Sequence, residues 1–294
     1  MNGNEGGRMN SDTPRPTPDG TPPAGAPAIE LRGASKVFRT PSGGEHTAVR
    51  DLDLAVGQGE FVAVVGPTGC GKSTTLTLVS GLEEPTEGEV LIGGEPVTGI
   101  RPEVGFVFQQ DAVFPWRSVL SNVMAGPRFR GVPKAEARER ARDWLGRVGL
   151  AAFADRYPHQ LSGGQRKRVA LAQTFVNEPE ILLMDEPFSA LDVQTRALMS
   201  DELLELWGGA HGRGASVVFV THDLEEAIAL ADKVVVMTAG PATVKEVFDV
   251  ALPRPRKVES VRLEPQFIEI YREMWASLGE EVRITRERGA SRVA

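Results

Sequence analysis

Residues 61–73 read Phe61-Val62-Ala63-Val64-Val65-Gly66-Pro67-Thr68-Gly69-Cys70-Gly71-Lys72-Ser73. A continuous apolar run that stops at a glycine is the pattern of a parallel strand buried on both faces. From Gly66 the chain then fits Gly-x-x-x-x-Gly-Lys-Ser. Glycines let the backbone curl with its N–H groups turned inward. A helix expected from Lys72 to about Ser80 adds the partial positive charge of its N-terminus. Strand, turn, Lys-Ser and helix together make a phosphate loop. Gly66, Pro67, Thr68, Gly69, Cys70 and Gly71 are expected to line the phosphates, with Thr74 in the first helical turn. Lys72 is expected to reach the β- and γ-phosphates of ATP, and the Ser73 hydroxyl to bind Mg2+. For Cys70 the simpler reading is that only its backbone matters, although ATP could protect a thiol there from alkylation.

A second chemical feature stands downstream. Ile181-Leu182-Leu183-Met184 is apolar and ends in Asp185-Glu186. Carboxylates at the C-terminal end of a parallel strand point into the ligand crevice. Asp185 is the expected holder of Mg2+ through water, which frees Glu186 to orient and deprotonate an attacking water. Before Pro187, such a pair alone would be an ordinary acidic strand end. Beside a phosphate loop it reads as hydrolytic.

The rest of the chain alternates in the same manner. Ile29–Phe38 and the alternating Leu52, Leu54 and Val56 suggest strands of a half-exposed sheet. Glu89–Ile92, Val104–Phe108, Ser216–Val220 and Val234–Met237 are further strand candidates. Helices are expected at Val169–Val176, Asp192–Trp207 and Leu224–Ala231. Strands alternating with helices imply a mainly parallel sheet covered by helices. From about Asp111 to Gln160 the texture changes. Ala137, Ala141, Trp144, Leu145 and Val148 recur at helical spacing, which marks a helical insert whose stripe is core.

Composition narrows the class. The chain has 294 residues, 25% of them charged, and a formal net charge of -7. A bulk basic surface for nucleic acid is therefore absent, so no nucleic-acid partner is expected. One cysteine cannot form an internal disulfide and fits a reducing cytoplasm. No apolar run approaches the ~18–20 residues of a membrane span, so a membrane role would need another chain. Residues 1–28 are rich in Gly, Pro, Ser, Thr and Asn and are expected to be a disordered tail, with Met9 an alternative start.

Leu161-Ser162-Gly163-Gly164-Gln165 is more specific than either motif above. Ser162, Gly163 and Gly164 open a helix, so free N–H groups face one way as a second anion site; Ser162 also suits a helix N-cap. With Ser189-Ala190-Leu191-Asp192 and the strand end Thr221-His222, the chain resembles the ATP-binding-cassette family over about residues 29–250. The resemblance implies an α/β P-loop nucleotide-binding domain. It has a mainly parallel core sheet, an antiparallel β-subdomain, and a helical subdomain inserted at about 111–164. It places Phe38 against adenine, Gln109 at the metal and the attacking water, and His222 against the γ-phosphate. It implies that two copies pack head to tail. Each ATP then lies between Lys72 of one and the Ser162, Gly163, Gly164, Gln165 and Asp192 region of the other. Gln173 and Thr174-Phe175 depart from the family's usual residues and put only local packing in doubt.

Because permease spans are lacking, the resemblance implies a separate permease, as in importers, with a solute-binding protein beyond it. Phe114-Pro115-Trp116 and Val119 through Val123 resemble the surface that receives the permease, the alternative being a core tryptophan. Residues 251–294 form a C-terminal extension. Its Leu252-Pro253-Arg254-Pro255-Arg256 and Glu264-Pro265-Gln266-Phe267, with a closing amphipathic helix at about Gln266–Leu278, resemble the nitrate/sulfonate/taurine importer branch. The expected function is an ATPase at the cytoplasmic face of the membrane, energising uptake of a small anion. An exporter or lipid-trafficking ATPase and a soluble cassette ATPase are the alternatives. A GTPase would need Asn-Lys-x-Asp, which is not found.

Overall fold

The computed structural model describes residues 25–40, 43–110, 112–208 and 214–291. The expected tail up to residue 24, with Met9, lies outside the described residues. The last four residues of the expected tail are described: Ala28 is buried and donates its N–H to the Val56 carbonyl at 2.8 Å, so the chain is already tied to the sheet just before β1 starts at Ile29.

Two sheets carry the fold. Strands β1 (Ile29–Arg39), β2 (Glu45–Val56), β4 (Glu87–Ile92) and β5 (Glu95–Pro96) form an antiparallel sheet in the order β2-β1-β4-β5. The core sheet joins β3 (Phe61–Val65), β6 (Val104–Val107), β7 (Ile181–Asp185), β8 (Ser216–Val220), β9 (Lys233–Met237) and β10 (Val244–Asp249) in the order β10-β9-β3-β8-β7-β6. All its pairs are parallel except β9 with β10. The edge strand β10 was not anticipated, because Lys245 and Glu246 interrupt its apolar pattern.

Side-chain alternation makes the core sheet a partition between two apolar clusters. Phe61, Ala63 and Val65 face the helices, together with Leu182, Met184, Val217 and Phe219. Val62, Val64, Leu183, Val218 and Val220 face the antiparallel sheet and α1 (Lys72–Val79). Every residue of β3 and β8 is buried. Burial of each large apolar side chain contributes about 1.5–3 kcal/mol, so the strands that carry the site are also the hardest to move.

The helical face holds α2 (Val119–Val123), α3 (Ala125–Phe129), α4 (Lys134–Arg147), α5 (Gly163–Phe175), α6 (Val193–Trp207), α7 (Leu224–Leu230), α8 (Val258–Val261) and α9 (Pro265–Ser291). The expected stripe of α4 is buried as the pattern implied. Helix α9 runs well past Leu278, to Ser291. Its apolar residues Phe267, Met274 and Leu278 join the same cluster as the core sheet. Arg256 anchors this extension: it is buried and donates to the carbonyls of Val250, Leu252 and Ala231, and its burial lowers its pKa to about 10. No helix of the described residues is long and apolar enough to cross a membrane.

Trp116 is 71% exposed, so the core reading of that tryptophan fails; Trp144 fills the core position instead. The loop bearing Trp116 is held from below by Asn122, which is fully buried. Its Nδ2 donates to the carbonyls of Phe114, Arg117 and Ser118 at 3.2, 3.1 and 3.0 Å, and its Oδ1 accepts from Phe114 N–H at 2.7 Å. Asn122→Ala removes all four bonds and leaves the Phe114 N–H and the Arg117 carbonyl without a partner, while the Phe114 and Ser118 carbonyls keep backbone donors. The expected cost is about 2–4 kcal/mol, read as a lower urea midpoint at unchanged slope.

Candidate active site

The chain leaves β3 at Val65 and turns into α1 through the phosphate loop. Gly71 caps the helix with φ 124° and supplies no side-chain capping bond, which leaves the helix N-terminus open to a ligand. Only glycine fits there: a Cβ would lie 2.5 Å from the Ala48 carbonyl oxygen and 2.7 Å from Ala242 Cβ. Thr68 and Gly69 form the exposed tip, Gly66 and Pro67 are buried, and Thr74 is half-buried in the first turn of α1. Lys72 is 5% exposed and donates from Nζ to the carbonyls of Gly66 at 2.9 Å and Pro67 at 3.0 Å. Cys70 is buried, and burial pushes its thiol pKa up, so the protonated, unreactive form is favoured. That supports the reading in which only its backbone contributes.

The other groups sit at the carboxyl ends of neighbouring strands, where a parallel sheet opens its ligand crevice. Asp185 ends β7, and its Oδ1 accepts from Ser73 Oγ at 3.0 Å. Burial raises the Asp185 carboxyl above its ordinary range, against the lowering effect of Ser73 and Lys72. A hydroxyl beside a part-buried carboxylate suits an oxygen-seeking cation such as Mg2+, whose charge would relieve that burial. Gln109, the third expected metal ligand, instead donates from Nε2 to Glu186 Oε2 at 3.3 Å. No cluster of three His, Cys, Asp or Glu groups suited to a metal occurs among the described residues.

Glu186 is held in an uncommon backbone state. Its φ is 42°, and its N–H donates to the Val220 carbonyl at 2.9 Å. A non-glycine residue in this region stores strain that neighbouring structure must hold. Its Oε2 receives both Gln109 and His222, the latter through Nδ1 at 3.1 Å. His222 Nδ1 is engaged by Glu186, and Nε2 is the other ring nitrogen. The structure thus brings Lys72, Ser73, Gln109, Asp185, Glu186 and His222 together.

Ser162, Gly163, Gly164, Gln165 and Asp192 form a second cluster. Ser162 caps α5: its Oγ accepts from Gln165 N–H at 3.3 Å, and Gln165 Oε1 accepts from Ser162 N–H at 3.0 Å. The capping reading is therefore realised, and Ser162 remains exposed. Asp192 caps α6 by accepting from Thr195 N–H at 2.9 Å, and bonds from Thr195 lower its pKa. Gly164 lies against Thr195, so the two caps are neighbours. None of their hydrogen bonds reaches the phosphate loop of the same chain. Phe38, on β1, has the Lys36 ammonium 5.1 Å from its ring centre.

Two residues behind the site escaped sequence reasoning. Glu226 is 5% exposed and accepts from Thr221 Oγ1, next to His222. Arg196 donates to Asp223 at 2.8 Å and to the Leu191 carbonyl at 3.1 Å, tying the Asp192 turn to the His222 turn. The available signal for Glu226 was an acid on the apolar face of α7, among Ala227, Ile228 and Leu230.

Burial raises the Glu226 pKa to about 7, and its Oε1 has no hydrogen-bond partner. The folded state therefore holds this proton more tightly than the unfolded chain. The resulting stability is complete below the unfolded value near 4.5 and is lost as pH rises through about 7. Glu226→Gln removes this dependence. The urea midpoint of the variant, relative to the parent, should rise between pH 5 and 8; a pH-independent difference would remove Glu226 as the titrating group.

Comparison with known proteins agrees with this geometry. The ABC transporter family model matches residues 49–189. An uncharacterized ABC transporter ATP-binding protein of Methanocaldococcus jannaschii is 44% identical over 254 residues, covering 86% of this chain and 92% of that protein. A nitrate import ATP-binding protein of Synechocystis is 36% identical over 271 residues, which are 91% of this chain but 40% of that protein. A spermidine/putrescine import ATP-binding protein of Rubrobacter xylanophilus is 44% identical over 229 residues, covering 74% and 59% of the two chains. Among solved structures, a dimeric ATP-binding cassette in a post-hydrolysis state with ADP and Pi superposes with a TM-score of 0.67 at 32% identity. It covers 76% of this chain and 100% of that one. With its phosphate loop, acidic strand end and capped Ser162 turn in these positions, the chain belongs to the ATP-binding proteins of ABC transporters and is an ATP-hydrolysing transport ATPase.

Proposed function

We propose that the chain drives an importer of a small anion, such as nitrate, a sulfonate or taurine, from the cytoplasmic face of the membrane. The observation that carries the hydrolytic part is the convergence of Gln109 and His222 on one oxygen of Glu186, beside Lys72 and the Ser73–Asp185 pair.

Lys72 binds the β- and γ-phosphates by turning its ammonium from the loop carbonyls to phosphate oxygens. Phe38 offers a ring face for adenine. Ser73 and Asp185 are the residues that would hold Mg2+, which when bound would supply positive charge near the phosphates. Glu186 takes a proton from the attacking water as its oxygen bonds the γ-phosphorus and the bond to the β–γ bridging oxygen breaks. Gln109 and His222 hold that carboxylate in line. His222 Nε2, the ring nitrogen away from Glu186, is then the one left for the γ-phosphate. The caps at Ser162 and Asp192 complete the site of a second copy, packed head to tail, a reading supported by their capping bonds being local and not made to the phosphate loop of their own chain.

The permease is proposed to dock on the helical insert. There a groove of 220 Å³ between Phe106, Phe108, Phe114 and Phe129 opens to solvent, with Phe129 and Trp116 mostly exposed. The nitrate-import relative and the tail motifs support an anion as cargo. The polyamine-import relative supports the importer layout with a cationic cargo, and substrate choice lies with the partner subunits.

Glu186→Gln should lower ATP turnover by about 10²–10⁴-fold while ATP still drives dimers visible by light scattering. Turnover near the parent's would remove Glu186 as the base. Ser162→Arg should bind ATP as one copy yet fail to hydrolyse it; normal hydrolysis would reject the head-to-tail pair. The transport role is read by capturing ATP-loaded Glu186→Gln from detergent-solubilised native membranes and identifying its companions by mass spectrometry. A polytopic permease with a solute-binding protein is expected, whereas soluble companions alone would overturn the importer.

A further inference from the structure

The loop Thr238–Ala242, between β9 and β10, forms one wall of the phosphate loop. Ala242 Cβ fills the space in front of Gly71, and the Cβ that Gly240 lacks would sit 3.7 Å from Cys70 Cα. Ala242 is itself stitched to β2: its N–H donates to Ala48 at 2.8 Å, and its carbonyl accepts from Arg50 N–H at 3.0 Å. At the start of the wall, Met237 Cβ closes on Gly66. Any shift of this wall moves the backbone that cradles the phosphates.

Helix α9 grips the wall at two adjacent residues, Ala239 and Gly240. Glu281 is 6% exposed, and its Oε2 accepts from Ala239 N–H at 2.7 Å. Arg288 donates from Nη1 to the Ala239 carbonyl and, at 2.6 Å, to the Gly240 carbonyl. Glu281 is fixed in turn by Lys245 at 2.8 Å, which also pairs with Glu280 and donates to Ser277 O. Glu281 and Arg288 stand about two helical turns apart, on one face. Helix α9 already reaches the core through Phe267, Met274 and Leu278. The turns beyond Leu278 add only scattered half-buried apolar contacts, such as Val282, and are tied to the sheet by polar bonds, through Glu281 and Arg288 to the wall and through Glu280 and Glu281 to Lys245 of β10. These turns also lie outside the region matched by the family model.

We infer that the C-terminal helix positions the phosphate loop, with Glu281 and Arg288 as positioning residues that clamp the Thr238–Ala242 wall against Cys70 and Gly71. The inference builds on the ATP site proposed above, but its test does not require hydrolysis. Cys70 is the sole cysteine of the chain and is buried beneath this wall, so its labelling reports wall opening directly. Hydrogen bonds to a charged donor are worth about tenfold in a local equilibrium. Arg288 is exposed, so its removal leaves the core intact.

The nucleotide-free full chain is treated with 5,5′-dithiobis(2-nitrobenzoic acid). Arg288→Ala should label about five- to tenfold faster than the parent, and Arg288→Lys should restore most of the protection. Arg286→Ala, on the same helix, should label at the parent's rate. The acceleration should be insensitive to low urea, as local opening is. In steady-state hydrolysis, the ATP KM of Arg288→Ala should rise about three- to tenfold with kcat little changed. Labelling of Arg288→Ala at the parent's rate would overturn the inference. So would equal acceleration by Arg286→Ala, or an acceleration that climbs with urea as global unfolding does.

Discussion

The Lys72 ammonium, drawn back onto the carbonyls of Gly66 and Pro67, is the interaction on which the rest of the site depends. A nearly buried cation costs several kcal/mol unless charge and hydrogen bonds offset it. Two neutral carbonyls offset part of that cost. Asp185 supplies opposing charge, since Lys72 lowers its pKa against the raising effect of burial. The balance favours an anion at the mouth of the loop. The open N-terminus of α1 faces the same place. This arrangement stands only because β3 is buried on both faces and cannot yield.

The position of every group proposed to act in hydrolysis follows from that sheet. Adjacent parallel strands deliver Gln109, Asp185 and His222 to one edge, and Glu186 follows Asp185 in a strained turn pinned to Val220. The Ser162 and Asp192 caps belong to a different edge, on α5 and α6. Their separation within one chain is why a second copy enters the proposed mechanism. Arg196 and Lys167 bridge the two edges. Arg196 links Leu191 to Asp223, and Lys167 donates to the Gln109 carbonyl at 2.7 Å. These hydrogen bonds connect the cap cluster to the residues around Glu186.

Much of this was readable in the sequence because apolar continuity is a local signal. Strands β3, β7, β8 and β9 are unbroken apolar runs that end at glycine, acid or threonine. Their ends named the site directly. What escaped was stabilised by polar contacts between distant segments. Strand β10 interrupts its apolar residues with Lys245, Glu246 and Asp249 at a sheet edge. Helix α9 continues past its apolar stripe because Glu281 and Arg288 find backbone partners in the Thr238–Ala242 loop. Asn122, Glu226 and Arg256 are polar residues in the interior, and composition cannot tell such residues from surface ones. The bond from Gln109 to Glu186 is likewise a tertiary fact.

The most direct measurement of the central claim is titration calorimetry of ATP, in magnesium, against the parent and Lys72→Met. If the buried ammonium is the phosphate partner, two charge-assisted bonds are lost, and the dissociation constant should rise by about a hundredfold or more. Equal affinity in the two proteins would mean that ATP does not meet Lys72, and the site built around it would have to be abandoned.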